Sequence, residues 1–134
     1  MILWLTIAAL AIGALVLGDY LRANEPDAYA WNDTAHSGYP DGTDVEVFSR
    51  DLLELAHTMT RAVNPAREHV TGPIRRLARR VVVRRASEDH SALKFSVDRP
   101  QDVERVRAIY AHLTPGRLML TDTLAAYARL RDQA

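Results

Sequence analysis

The chain of 134 residues contains no cysteine, which excludes disulfides, thiolate metal sites and a cysteine nucleophile, and leaves the redox compartment unreadable. Lysine is nearly missing as well, with Lys94 alone against sixteen arginines. That bias, with the abundance of alanine, reads as coding from a GC-rich genome and not as a sign of binding. No phosphate-cradling GxxxxGK[ST] or GxGxxG occurs, nor does GxSxG or CxxC. The five histidines, His36, His57, His69, His90 and His112, form no HxxxH or HxH pair, so metal binding has no local support. Asp41, Asp44 and Glu46 resemble a fragment of a calcium loop, but their spacing misses the helix-loop-helix pattern. Ser, His and Asp are all present, yet nothing along the chain places them near one another. The expectation is a chain without catalytic residues, cofactor or metal.

Charge is missing too from the first eighteen residues, MILWLTIAALAIGALVLG. A hydrocarbon core about 30 Å thick needs roughly 20 apolar residues as a helix, and Met1 to Gly18 with Tyr20 and Leu21 nearly supply them. Trp4 and Tyr20 suit the two interfaces. Gly13 lies in a run of small side chains where another helix can approach. No Lys or Arg precedes the run, the run exceeds a usual signal-peptide core, and the nearest small-x-small site, Ala28-Tyr29-Ala30, lies far beyond it. Residues 1–22 are therefore expected to be an uncleaved single-pass transmembrane anchor at the cell membrane. Counting arginines within about 60 residues tilts the remainder toward the cytoplasm.

The net charge of zero hides a polarity along the chain. Residues 19–60 carry nine acids and two arginines, residues 61–86 carry eight arginines and one acid, and the rest has seven of each sign. An acidic arm is thus followed by a basic block, and the two can neutralise each other within one molecule or meet partners separately.

Residues 23–42 read as an irregular arm, broken by Pro26, Gly38, Pro40 and Gly42, with Tyr-Pro-Asp-Gly as turn chemistry. Its aromatics Tyr29, Trp31 and Tyr39 are expected to lie on headgroups, on a neighbouring subunit or on the domain itself. Residues 43–134 are expected to form a small α+β domain. Thr43 and Glu46 have capping-box spacing, and Val45, Phe48, Leu52, Leu55, Ala56, Met59 and Val63 make one apolar stripe ended by Asn64-Pro65. In GPIRRLARRVVVRR, Pro73 fits a first helical turn, with Arg75, Arg76, Arg79 and Arg80 on one face. Residues 80–86 and 92–98 then read as an antiparallel hairpin around the polar turn SEDHS, with a helix continuing through Arg85 as the rival. Asp98 is placed to cap a helix carrying Val103, Val106, Ile109, Tyr110 and Leu113, ended by Thr114-Pro115-Gly116, and a last helix follows from Thr121 or Asp122. The fold class is α+β: a single N-terminal transmembrane helix followed by a small, mostly helical domain with a β-hairpin.

The eight residues LTPGRLML resemble the TPG turn in the small E subunit of multisubunit cation/proton antiporters. The helical tail that follows departs from that pattern, and no family is assigned on so short a stretch. The arginines remain the feature with partner logic, because a guanidinium grips carboxylate or phosphate in a bidentate fork and stays charged. The expected function is a noncatalytic accessory or assembly subunit of a larger membrane complex. Trp4, Gly13, Tyr20, Tyr29, Trp31, Tyr39, Arg75, Arg76, Arg79, Arg80, Arg84 and Arg85 are its expected contacts with other subunits or membrane lipid. The alternatives are a tethered module for anionic lipid headgroups or nucleic acid, and a small anchored enzyme. Nucleic acid is disfavoured by the zero net charge and the lack of interleaved aromatics.

Overall fold

A computed structural model of the protein describes residues 2–60, 71–113 and 119–132, with side chains from Ile12 on. In chain order the elements are α1 (Ile2–Ala23), β1 (Ala28–Trp31), α2 (Thr34–Ser37), β2 (Glu46–Phe48), α3 (Arg50–Met59), α4 (Thr71–Leu77), β3 (Arg80–Val83), α5 (Pro100–Ala111) and α6 (Leu120–Asp132). The expected stops at Asn64-Pro65 and Thr114-Pro115-Gly116, and Val63 in the apolar stripe, lie outside the described residues.

The three strands form one sheet in the order β2-β1-β3, β1 running antiparallel to β2 and parallel to β3. Side chains alternate between the faces of a strand, and β1 uses both. Ala30 lies under α1 together with Val45, Val47 and Val82, while Tyr29 and Trp31 lie on the opposite face with Phe48, Leu52, Ala56 and Ile74 of the α3 and α4 side. All four β1 residues are buried, as a strand covered on both faces requires. The stretch read as an irregular arm therefore contains the central strand. Asn32 extends the pairing beyond the strand: its fully buried amide donates to Thr43 O at 3.0 Å and accepts from Val45 N at 2.6 Å. A third cluster joins Phe95 to Ile109 of α5 and Ala126 of α6.

The transmembrane reading of residues 1–22 is overturned. Among the described residues no helix is long and apolar enough to cross a membrane. From Ile12 onward, α1 is a layer of the fold, with Ile12 and Val16 buried against Ala30 and Tyr39. Its last turns carry Asp19 and Arg22 as an ion pair, and Asp19 is also held by Arg84 at 3.5 Å. A helix that gives one face to its own sheet cannot surround that face with lipid. Asn24, at φ 50°, ends it in the left-handed conformation that asparagine tolerates.

The hairpin is overturned as well. Residues 80–83 pair with β1, and Asp41 takes the chain at 93–95 instead, with Asp41 N donating to Leu93 O and Phe95 N donating to Asp41 O. Two backbone bonds explain the diversion: Ala86 N to Ser37 O and His90 N to Gly38 O, both 2.8 Å, tie the polar 84–91 segment to α2. The expected helix from Thr43 starts later, at Arg50, where Ser49 accepts from Leu52 N, because residues 46–48 serve as an edge strand first.

Candidate functional site

The expected contact residues divide into two groups, and the structure adds a third that was not among them. The aromatics belong to the interior: Tyr29 and Trp31 meet edge to face with centroids 5.8 Å apart, and Tyr29 stacks on Phe48 at the same distance. Burial makes the Tyr29 hydroxyl much harder to ionise than an ordinary tyrosine, with Glu46 adding to the shift and Thr71 and Arg75 opposing it. Tyr39 and Tyr20 pack in the cluster under α1, and a side chain on Gly13 would meet Val45, so both Gly13 and Tyr20 face the sheet. Trp4 falls within α1, but its side chain lies outside those described.

The arginines are the second group, and internal acids take three of them. Arg79 pairs with Asp27 at 3.5 Å, Arg80 with Glu25 at 3.3 Å and Arg84 with Asp19 at 3.5 Å. Arg75 lies over the Trp31 ring, its guanidinium carbon 4.2 Å from the centroid, in cation–π contact. Arm and block thus neutralise each other across the connection from α1 to β1. Arg85 is different: its Nη1 donates to His36 O at 2.9 Å, and among the described residues it makes no ion pair. Nor does Arg76, the last of the six expected contact arginines, among those residues.

The third group was not legible in the sequence. Away from Ile12 and Val16, Ala14, Leu17 and Leu21 are exposed on one side of α1, Leu21 to 64 %, and Leu15 is exposed on the other flank. Ala14, Leu17 and Leu21 follow the three-then-four spacing of a helix-pairing seam, and Ala14 and Gly18 sit four apart beside it. The same alternation runs back along the sequence through Leu10 and Ile7 to Leu3. An all-apolar helix shows no periodicity, so only the packing of the sheet reveals which face is left open.

Two cavities of about 310 Å³ open among the described residues, one polar, between α2 and residues 85–91, and one more apolar, between residues 89–93 and α6. Among the described residues no group of three or more His, Asp or Glu is placed to hold a metal ion. No protein-family model matches the chain, and no curated protein or solved structure matches it either.

Proposed function

We propose that this chain is a noncatalytic accessory subunit that docks onto a larger assembly by pairing the open face of α1 with an apolar helix of a partner protein. The observation that carries the reading is the exposure of Leu17 and Leu21, beside Ala14, on a helix whose other side is already committed to the sheet. A contiguous apolar face of that kind marks an interaction surface. The occupant is a helix because Ala14, Leu17 and Leu21 repeat at the three-then-four spacing by which two helices interlock. The charge pattern supports the same reading, since Arg79, Arg80 and Arg84 are held by Asp27, Glu25 and Asp19 and are not free to form a basic docking patch.

The test is purification of the tagged full chain from its native cells, combined with photo-crosslinking from position 17 and, as control, position 53 on α3. The expected result is a stoichiometric partner crosslinked through an apolar helix from position 17 only, and lost in the Leu17→Glu, Leu21→Glu variant. A monodisperse monomer without a partner, or crosslinks from position 17 to a second copy alone, overturns the proposal.

A further inference from the structure

The polar cavity between α2 and residues 85–91 is built around a histidine held on three sides. His36 Nδ1 is 2.7 Å from Asp33 Oδ2, its ring lies 5.8 Å from that of Trp31, and its carbonyl accepts from Arg85. With Nδ1 engaged by the carboxylate, Nε2 is the ring nitrogen left for a ligand. Arg85 is fixed through one Nη1 bond to the same residue, which leaves its remaining N–H groups available for an oxyanion fork. His36 and Arg85 both line the cavity, and Arg85 brings a permanent positive charge to it.

The rest of the wall is hydroxyl and carboxylate. Ser37 is buried and its Oγ accepts from Tyr39 N, so its hydroxyl proton is still available. Glu88 and Asp89 also line the cavity. The Asp89 carboxyl is held below the usual carboxylate range by the hydroxyl and amide of Ser91 and is therefore an acceptor at neutral pH. A bare oxyanion is small for a cavity of about 310 Å³ and leaves the two carboxylates without a donor. A molecule that carries both an anionic group and hydroxyl donors matches Arg85 as well as the carboxylates.

We infer that this cavity binds a small phosphorylated polyol, its phosphate held by Arg85 and His36 and its hydroxyls by Ser37 and the Glu88 and Asp89 carboxylates. The site is on a different element from the open face of α1 and stands independently of the docking proposal.

Isothermal titration of the full chain with glycerol 3-phosphate, inorganic phosphate and glycerol tests the inference. Saturable one-to-one binding of glycerol 3-phosphate is expected, tighter than phosphate, with no binding of glycerol. Arg85→Gln is expected to weaken it on the order of tenfold or more, as loss of a charge-assisted hydrogen bond implies. His36→Gln, at a mostly exposed side chain, is the second variant and is expected to weaken binding without changing the thermal unfolding midpoint. Absence of binding at millimolar glycerol 3-phosphate, equal affinity for glycerol, or binding that neither variant changes overturns the inference.

Discussion

A methyl group on Gly42 would stand 2.4 Å from Ser96 N and 2.9 Å from the Phe95 carbonyl carbon, and Gly42 has φ 89°. Backbone, not a flexible side chain, is in the way, and the φ is one that other residues adopt only with strain. Gly42→Ala is therefore expected to lower stability by about 2 kcal/mol or more, read as a drop in the urea midpoint at unchanged slope. The turn itself was legible, since Tyr-Pro-Asp-Gly is turn chemistry and Thr43 N does donate to Pro40 O. What the turn presses against was not, because residues 95 and 96 reach it through the fold. Asp102 repeats the lesson. Asp98 reads as the cap of α5, yet Asp98 pairs with Lys94, and it is Asp102 whose carboxylate accepts from the Asp98 and Arg99 amides at 3.0 and 2.9 Å. The Asp98 amide first, then Arg105, the Arg99 amide and Lys94, hold the Asp102 carboxyl down to about 2 against the opposing effect of desolvation. A depressed carboxyl stabilises the fold above its unfolded value near 4, and that contribution fades as pH falls through about 2. Asp102→Asn is expected to be less stable than the native chain at pH 7, with the difference shrinking between pH 4 and pH 2 in thermal melts followed by circular dichroism.

At the scale of elements, periodicity revealed what each segment buries better than where it starts. The stripe from Val45 onward was read as one helix, but Val45 and Val47 go under α1 while Phe48 goes to the other face, the period of two that belongs to a strand. Only from Arg50 does the helical period take over, and there Leu52 and Ala56 are buried while Leu55 and Met59 are exposed. Ser49 makes the switch by accepting from Leu52 N at 3.2 Å. Ser49→Ala is expected to cost about 1 kcal/mol, measured as a shift of the urea midpoint, with Ser49→Asp retaining most of the stability because aspartate caps by the same geometry. The hairpin failed for a related reason. Val81-Val82-Val83 has the β-branched character of a strand, and the nearest extended segment in the sequence was the natural partner. The buried strand 28–31, itself read as an arm because Pro26 and Asn32-Asp33 flank it, offered an apolar neighbour instead.

For the whole molecule the decisive question is which side of α1 is committed. Its sequence is apolar on every face through Gly18, so composition alone fits a bilayer as well as a protein core. At 22 residues the helix is about 33 Å long, whereas a four-residue strand spans only about 13 Å, so a small sheet covers only part of it. The described packing divides its second half cleanly: Ile12 and Val16 are 3 % and 0 % exposed beneath the sheet residues, and Leu17 is 44 % exposed on the other side. The charge polarity supports the same attachment, with Asp19, Glu25 and Asp27 drawing Arg84, Arg80 and Arg79 to the end of the helix. The exposed Arg79–Asp27 and Arg80–Glu25 pairs contribute only about a few tenths of a kcal/mol each and are weakened by salt, so packing more than charge holds α1 in place. Ile12→Ala is accordingly expected to destabilise the whole domain by roughly 2 to 5 kcal/mol, whereas Leu17→Ala is expected to change the stability of the isolated chain by less than about 0.5 kcal/mol. Urea unfolding followed by far-ultraviolet circular dichroism distinguishes the two faces. Equal losses for both variants would place Leu17 in the core and remove the open face on which docking depends, while a negligible loss at Ile12 would detach α1 from the sheet.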